Sequence, residues 1–332
     1  MKVAINGFGR IGRTLFRQLI EAGGFDIVAV NDLVPADDLA YALRFDSVRG
    51  RYPGKVGVAD DRLVASGQSC AILMERDPGM LPWRDLGVEL VFECTGRFTG
   101  EADLGRHLTA GAGFVILSAP AGSEDVPTLA HGVNAAGGGR LVSCASCTTN
   151  AIAPVMEVLQ RRFGVLKAAM TTVHAYTADQ SIVDTPRSNR RRGRAAAANL
   201  VPSTTGAARA TALTVPELAG RFDGLAIRAP VAAGSIADIT CLLADRTSLA
   251  GVNAVFRQEA VSERYSGILG VSDEEMVSSD ILGDPRAAVV DLTLTQLIDG
   301  DLVKVFSWYD NEWGYCAQLV RVAQDLAAGL AV

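Results

Sequence analysis

A cysteine between a strand pattern and a helix pattern is the residue best placed to do chemistry. Cys147 follows the short apolar run at residues 140–142 and precedes residues 151–163, whose apolar side chains recur at helical spacing. We therefore expect Cys147 in the first turn of a helix, where backbone N–H groups and the helix dipole favour a thiolate. The same N–H groups hold anions, so a phosphate or a developing oxyanion is expected beside the sulfur. We interpret Cys147 as a nucleophile.

A sulfur nucleophile needs a base, and His174 is the expected one. The chain has three histidines, and His174 ends the strand pattern at residues 167–173. An imidazole at that position can take the proton of the thiol; a purely structural histidine is the alternative. His107 falls in the polar pattern of a predicted helix, so we expect it to be exposed. His131 lies in a loop and is assigned no role.

A glycine-rich turn near the N-terminus has the spacing of a dinucleotide-binding fingerprint. Gly7, Gly9 and Gly12 directly follow a strand pattern at residues 2–5. The glycines allow a tight turn, close approach of a pyrophosphate and tight packing of the following helix. Asp32 lies twenty residues beyond Gly12, where a carboxylate binds a ribose 2′-hydroxyl and repels a 2′-phosphate. The pattern predicts NAD rather than NADP; the alternative is a glycine turn with a surface aspartate.

Repeated strand and helix patterns place these residues in an α/β framework. Further strands are predicted at residues 25–30, 90–93, 114–117, 225–230, 236–242, 287–294 and 302–308. Helices are predicted at residues 14–22, 101–110 and 319–330. Thr95 and Ser118 follow two strands of the first half, at the sheet edge where parallel sheets bind ligands; for either one, a plain turn residue is the alternative. The predicted fold is α/β, with a Rossmann-type doubly wound parallel sheet and an α+β catalytic domain whose sheet is mainly antiparallel.

Composition excludes several classes of protein. A length of 332 residues suggests about two domains, and a net charge of −6 argues against a general nucleic-acid binder. No apolar run reaches the ~18 residues of a membrane span, and no signal-peptide pattern is visible. Six cysteines are too sparse for a disulfide framework, and Cys144-x-x-Cys147 has no second pair, so no metal site is expected. A cytoplasmic enzyme is the predicted class.

Two groups of residues could bind anions. Arg228 lies inside an apolar strand pattern, where a charge is costly unless it is paired or bound to a ligand. Residues 203–207 form a hydroxyl-rich turn that opens a helix, with N–H groups suited to an anion. Residues 184–194 carry five arginines. They could form a solvated basic arm, a nucleic-acid patch, or an ordered loop that lends arginines to phosphate sites or a subunit contact.

Five motifs, in order along the chain, resemble those of the glyceraldehyde-3-phosphate dehydrogenase family. They are INGFGRIGR at residues 5–13, ASCTTN at 145–150, HAYT at 174–177, RAAA at 194–197 and SWYDNE at 307–312. The resemblance covers nearly the whole chain. It implies an NAD-binding domain over residues 1–148 that is completed by a C-terminal helix at residues 313–332. It also implies a catalytic domain over residues 149–312, and usually a homotetramer.

The resemblance implies a role for individual residues as well. Cys147 would form the covalent bond to the substrate, with His174 as its acid/base partner. The substrate's own phosphate would bind Thr177 and Arg228. The implied site for inorganic phosphate is formed by Ser146, Thr148, Thr205 and Gly206, with Arg192 nearby. The implied cofactor contacts are Gly7, Gly9, Arg10, Ile11, Gly12, Asp32, Arg76, Thr95, Ser118 and Asn311, the last of which holds the nicotinamide amide.

The implied reaction converts D-glyceraldehyde 3-phosphate to 1,3-bisphosphoglycerate, with NAD and inorganic phosphate, through a hemithioacetal and a thioester on Cys147. One alternative is erythrose-4-phosphate dehydrogenase, which tends to lose the Tyr-Thr pair after the histidine and the turn at residues 203–206; both are kept here. A second alternative is a non-catalytic binding or regulatory paralogue built on the arginine loop. The expected partners are small molecules, with no nucleic acid and no membrane.

Three residues depart from the family's usual pattern. Cys144 stands where an asparagine is usual, Ala151 where a second cysteine is common, and Thr185 where an apolar residue usually precedes Pro186. Pro186 itself matches members that prefer NAD. We expect either altered oxidation or alkylation behaviour from these changes, or neutral drift.

Overall fold

The structure is a computed structural model that describes residues 1–329. The chain forms two compact units. The first contains Met1–Leu129, Ala135–Ala145 and the segment from Leu319 onward, and the second contains Ala130–Asn134 and Ser146–Gln318. Within residues 1–329, no helix combines the length and apolar character that a membrane crossing requires.

The first unit is built on an eight-stranded sheet. Its strands are β1 Lys2–Asn6, β2 Asp26–Asn31, β3 Val56–Ala59, β4 Arg62–Ala65, β5 Gln68–Leu73, β6 Leu90–Glu93, β7 Phe114–Leu117 and β8 Leu141–Ser143. Its helices are α1 Arg10–Ala22, α2 Ala36–Arg44, α3 Trp83–Leu86 and α4 Glu101–Thr109. The strand order is β3-β4-β5-β2-β1-β6-β7-β8.

The order of the strands in this sheet creates a binding crevice. Strands β5, β2, β1, β6, β7 and β8 run parallel. Because β1 lies between β2 and β6, the chain reverses direction across the sheet at β1, and doubly wound sheets bind ligands at the carboxyl ends of such strands. Antiparallel β3 and β4 extend the β5 edge. The sequence patterns did not predict this hairpin, which is short and partly exposed.

The second unit is built on another eight-stranded sheet. Its strands are β9 Val165–Ala175, β10 Val201–Thr204, β11 Phe222–Ala229, β12 Ser235–Leu243, β13 Leu269–Ser272, β14 Ala288–Asp291, β15 Gln296–Ile298 and β16 Leu302–Tyr309. Its helices are α5 Cys147–Phe163, α6 Ala207–Thr214, α7 Leu249–Ala260 and the start of α8 Trp313–Ala327. The order is β10-β11-β9-β12-β16-β14-β13, and β15 also pairs with β16.

This second sheet is mainly antiparallel, as predicted, although β11 runs parallel to β9 and β13 runs parallel to β14. Its core forms around α5, which is buried over most of its surface. The apolar residues that predicted the helix, Ile152, Val155, Met156 and Leu159, have no solvent exposure. The fold class predicted from the sequence is therefore confirmed.

Two helices begin several residues earlier than predicted. α1 begins at Arg10 rather than at residue 14, because the fingerprint itself supplies the first turn after Gly9. α8 begins at Trp313 rather than at 319, since the Asp310 carboxylate accepts the N–H groups of Glu312 and Trp313 at 2.9 and 2.8 Å. The implied helix at residues 313–332 was too long: α8 ends at Ala327, and Gly329 follows at φ +72°. Residues 330–332 lie outside the described residues.

Candidate active site

The chain places Cys147 at the first position of α5, as the sequence predicted. Ser146 is the N-cap residue, and its hydroxyl accepts the Thr149 N–H at 3.1 Å. Ala145 has φ +53°, a left-handed conformation that is unfavourable for a residue with a β-carbon. Strained backbone of this kind clusters at functional sites, and here it precedes the nucleophile by two residues.

His174 lies beside this sulfur. It is the penultimate residue of β9 and is 4% exposed, and its Nε2 is 3.4 Å from Cys147 Sγ. Its Nδ1 lies 2.6 Å from the carbonyl oxygen of Ala175. A carbonyl only accepts, so Nδ1 carries the proton of the neutral ring and Nε2 presents a lone pair to the thiol. The imidazole is therefore oriented to act as a base toward Cys147.

The charges of this pair depend on each other. Burial raises the pKa of the Cys147 thiol, although the Arg228 charge and the N–H groups of Thr148 and Cys147 act in the opposite direction. Burial and the Arg228 charge lower the pKa of His174 to about 4. The N–H groups at the helix terminus lower the thiol pKa in the expected direction, but desolvation outweighs them. Proton transfer from sulfur to imidazole creates both charges together, 3.4 Å apart, and their attraction offsets the cost of burial.

Tyr309, which lies in the motif at residues 307–312 and was assigned no role, packs against this pair. The Tyr309 hydroxyl lies 3.0 Å from the Thr148 hydroxyl and 2.8 Å from that of Thr172. Its ring packs edge-on against the His174 imidazole, with centroids 5.9 Å apart. These contacts tie α5, β9 and β16 together at the point where the nucleophile and the base meet.

The two residues predicted to bind the substrate's phosphate lie next to the base. Arg228 Nη1 is 3.1 Å from the Thr177 hydroxyl and 3.1 Å from the Ala175 carbonyl oxygen. Its Nε is buried and has no hydrogen-bond partner among the described residues. Since an unsatisfied buried guanidinium N–H is costly, the group fits an anionic ligand.

The predicted inorganic-phosphate residues are spread over two segments. Ser146 and Thr148 open α5, while Thr205 and Gly206 open α6, where the Thr205 hydroxyl accepts the Ala207 N–H at 3.2 Å. Arg192 donates to Ser203 at 3.0 Å and pairs with Asp179, which also accepts from Thr177. The link through Asp179 was not predicted, because nothing in the local sequence distinguishes Asp179 from an ordinary loop aspartate.

The glycine fingerprint forms the turn between β1 and α1. Gly7 has φ +94°, and a β-carbon there would lie 2.6 Å from the Thr95 nitrogen; at Gly12 it would lie 2.1 Å from the Gly7 carbonyl oxygen. At Gly9 it would meet nothing within 4 Å, so this side of the turn is open to a ligand. The Asp32 carboxylate accepts the N–H of Phe8 at 2.7 Å. The carboxylate thus lies against the turn that would hold a pyrophosphate.

The sequence matches two family models whose descriptions agree with this geometry. The NAD-binding domain of glyceraldehyde 3-phosphate dehydrogenase matches residues 1–101, and the C-terminal domain of the same enzyme matches residues 146–311. The chain belongs to the glyceraldehyde-3-phosphate dehydrogenase family. Its cofactor is NAD, and the glycine turn and Asp32 fit that cofactor.

Similar proteins cover the chain almost from end to end. The glyceraldehyde-3-phosphate dehydrogenase of Geobacillus stearothermophilus is 46% identical over 332 residues, covering 99% of this chain and 98% of the relative. The enzymes of that name from Streptomyces coelicolor and Mycobacterium tuberculosis are 46% and 47% identical, and each alignment covers 96% of both chains.

The remaining residues that were predicted to contact the cofactor lie in both units. Thr95 and Ser118 follow β6 and β7, and Ile11 lies in the first turn of α1. Arg10 forms a 2.5 Å ion pair with Asp46, and Arg76 is exposed. Asn311 belongs to the second unit, where its Oδ1 accepts from Gly234 N at 3.0 Å and from Ser235 Oγ at 3.1 Å. The Asn311 amide nitrogen, Nδ2, is therefore the atom left to donate a hydrogen bond to a ligand.

Two side chains are more deeply buried than sequence patterns could show, and for His107 the expectation of exposure was wrong. His107 is not exposed but completely buried, and it contacts Trp83 and Glu93. Cys144 is 2% exposed, and burial raises the pKa of its thiol to about 12, so it has little thiolate to react with oxidants or alkylating agents. Within residues 1–329, the six cysteines are thiols, and no group of three or more metal-binding side chains is present.

Proposed function

We propose that the protein is a phosphorylating, NAD-dependent glyceraldehyde-3-phosphate dehydrogenase, which oxidises D-glyceraldehyde 3-phosphate to 1,3-bisphosphoglycerate in glycolysis or gluconeogenesis. The observation that carries the proposal is the 3.4 Å approach of Cys147 Sγ to His174 Nε2 in a chain of this family. The nucleophile, the base and an anion-binding arginine meet within one unit.

The first chemical step joins the substrate to the sulfur. His174 Nε2 takes the thiol proton while Cys147 Sγ attacks the aldehyde carbon, and the imidazolium then gives this proton to the oxyanion, which completes the hemithioacetal and leaves His174 neutral. N–H groups at the start of α5 stabilise the developing oxyanion. Arg228 and Thr177 hold the substrate's own phosphate, so the aldehyde is presented to the sulfur in one orientation.

The second step oxidises the bound carbon. NAD, when bound, supplies a hydride acceptor. His174 takes the proton of the hemithioacetal hydroxyl, and a thioester remains on Cys147. Inorganic phosphate then attacks the thioester, and the sulfur leaves with a proton from His174. Ser146, Thr148, Thr205, Gly206 and Arg192 are the residues we assign to that phosphate, on the grounds that two helix N-termini and a guanidinium favour an anion.

The cofactor contacts we propose are the fingerprint glycines with Arg10, Ile11, Asp32, Arg76, Thr95, Ser118 and Asn311. We assign residues 1–148 with the C-terminal helix to the NAD-binding domain and residues 149–312 to the catalytic domain. The two compact units and the matched family models support a division into two domains, although the units separate between Ala145 and Ser146, so that Cys147 lies with His174, and divide the C-terminal helix between Gln318 and Leu319.

We also propose a cytoplasmic homotetramer. Within residues 182–225, several large apolar side chains are exposed: Ile182 at 80%, Val183 at 68%, Leu200 at 67%, Leu213 at 58% and Leu225 at 44%. We assign these exposed apolar side chains to the subunit contact, since association would remove them from water. Six thiols without a disulfide fit a reducing compartment.

The decisive experiment follows NADH formation by the purified protein. We expect activity with glyceraldehyde 3-phosphate and phosphate, far lower activity without phosphate, and a preference for NAD over NADP that Asp32→Ala weakens. Higher kcat/KM with erythrose 4-phosphate would identify the paralogous dehydrogenase instead. Absence of activity with either aldehyde, in a folded protein that binds NAD, would favour the non-catalytic paralogue.

A further inference from the structure

A chain of buried polar side chains crosses the first unit beneath the carboxyl ends of its strands. The five members of this buried polar chain are Trp83, His107, Glu93, Asn6 and Asn31, and each is at most 4% exposed. Burying so many polar groups is costly unless each finds partners of the right kind. The hydrogen bonds show that these residues do.

The direction of each hydrogen bond is set by the tryptophan at one end. Trp83 Nε1 can only donate, and it lies 2.9 Å from His107 Nδ1, so Nδ1 accepts and the proton of the neutral ring is on Nε2. His107 Nε2 then donates to Glu93 Oε2 at 3.1 Å. Trp83 thus fixes His107 in the one tautomer that donates to the glutamate.

The Glu93 carboxylate accepts hydrogen bonds from β1, from α4 and from the turn after β6. Its Oε2 also accepts from the Asn6 amide at 2.5 Å, while its Oε1 accepts from the Thr95 N–H at 2.8 Å and from the Thr95 hydroxyl. The carboxylate therefore joins the end of β1 to the turn after β6. These are the two strands between which the sheet reverses its direction of winding.

The buried polar chain also reaches the end of β2 and the segment that follows β5. Asn6 Oδ1 accepts from Asn31 Nδ2 at 2.7 Å, and the Asn31 side chain forms two hydrogen bonds with the backbone of Glu75, at 2.8 and 2.9 Å. Asn6, Asn31 and Glu75 directly precede three of the proposed cofactor contacts, Gly7, Asp32 and Arg76. Glu93 is two residues before a fourth, Thr95.

We propose that the buried polar chain positions the NAD-binding loops, with His107 and Glu93 as positioning residues for the cofactor. The loops that carry Gly7, Asp32, Arg76 and Thr95 each start at a residue that belongs to the buried polar chain or is hydrogen-bonded to it. The glycine turn and the turn after β6 lie in close contact, because a β-carbon at Gly7 would lie 2.7 Å from the carbonyl carbon of Cys94. A shift of the turn after β6 by a few tenths of an ångström would therefore change the position that the glycine turn can adopt.

The inference rests on NAD being the cofactor and not on the aldehyde chemistry, so binding of NAD alone tests it. Calorimetry on the purified full chain would compare His107→Leu with His107→Gln. Glutamine can place an N–H toward Glu93 and a carbonyl toward Trp83, whereas leucine does neither. We expect a Kd for NAD about tenfold higher in the leucine variant and within about threefold of wild type in the glutamine variant.

Two further measurements separate positioning from general stability. Glu93→Gln leaves at least two donors without an acceptor, so we expect the KM for NAD to rise about tenfold while the KM for the aldehyde changes less than twofold. Glu89→Gln is the matched control: its exposed carboxylate accepts the Lys2 N–H at the opposite end of β6, and its Kd for NAD should stay that of wild type.

The wild-type protein supplies a test that needs no variant. With three histidines in the chain, ¹⁵N-labelled imidazoles give few enough signals to assign, and His107 should show the proton on Nε2. A proton on Nδ1 overturns the proposal. So does wild-type affinity for NAD in folded His107→Leu or Glu93→Gln, or an equal rise in the KM values for NAD and aldehyde. Loss of NADH formation with normal NAD binding would instead count against the proposed function.

Discussion

The guanidinium of Arg228 lies 2.9 Å from Nδ1 of His174, the ring nitrogen that faces away from the nucleophile. In the tautomer that the Ala175 carbonyl selects, both groups are donors, so this contact brings a cation against the imidazole without a hydrogen bond. The charge lowers the pKa of His174 further than burial alone and partly offsets the effect of burial on the thiol of Cys147. If Arg228 binds the substrate's phosphate as proposed, the same guanidinium links substrate binding to the pKa values of Cys147 and His174.

Arg228→Leu should therefore change both substrate binding and pH dependence. Loss of a charge-assisted contact to phosphate raises the KM for glyceraldehyde 3-phosphate by about 10- to 100-fold. Removing the positive charge raises the pKa values of His174 and of Cys147, so the acidic limb of kcat/KM moves to higher pH. Steady-state kinetics from pH 5 to 9 measure both effects.

Unphosphorylated glyceraldehyde is the control substrate for this variant. It cannot use the phosphate contact, so its KM should change far less than that of the phosphorylated substrate, while the pH limb should move equally for both. An equal increase of KM for the two aldehydes would assign Arg228 a structural role.

His174→Asn tests whether the helix terminus alone can activate the sulfur. Burial raises the pKa of the Cys147 thiol, and without the imidazole no base lies at 3.4 Å to take its proton. We expect kcat to fall by about 10²- to 10⁴-fold. Alkylation of Cys147 by iodoacetamide at pH 7 should slow at least tenfold and recover only at more alkaline pH.

The same alkylation experiment has a control within the chain. Cys144 is buried and its thiol has a pKa raised to about 12, so peptide mapping should find it unlabelled in both proteins. Unchanged labelling of Cys147 at pH 7 in the variant would show that the N-terminus of α5 is sufficient after all.

Local patterns in the sequence were enough to predict much of the site, because its central features are local. The strand bounds at residues 90–93 and 114–117 were right, and Cys147 lies at the start of its helix. The pKa of a buried side chain, in contrast, depends on residues that are distant in the sequence. The helix N-terminus at Cys147 can be predicted from the sequence, but the burial whose effect on the thiol pKa outweighs it cannot. His107 shows the same limit, since its partners Trp83 and Glu93 are 24 and 14 residues away and helical periodicity gives no sign of them.

Asp46 should make part of the stability of the first unit sensitive to acid. Burial acts to raise its pKa, but the N–H groups of Arg49 and Val48 and the Arg10 guanidinium outweigh it and lower the pKa to about 2. A carboxylate whose pKa is lower in the folded than in the unfolded chain stabilises above the unfolded value of about 4. That contribution, up to about 2 kcal/mol, is lost as pH falls from about 4 to 2.

Asp46→Asn should accordingly lower the free energy of unfolding at pH 6 and have a much smaller effect near pH 2.5. Urea unfolding at the two pH values measures the difference, and Asp125→Asn, on an exposed loop of the same unit, is the matched control. A difference between wild type and Asp46→Asn that is equal at both pH values would contradict the assignment.

Ile182→Asp should dissociate the proposed tetramer. Ile182 is 80% exposed in the single chain and lies beside Val183 in the loop that also carries the arginines. If this loop is buried between subunits, a carboxylate there must lose its hydration without a partner, and closed symmetry repeats the cost in every copy of the contact. Val261→Asp is the matched control, because Val261 is equally exposed, at 83%, directly after α7. Sedimentation velocity should show a smaller species for Ile182→Asp and an unchanged one for Val261→Asp; the opposite pattern would place the subunit contact near α7 instead.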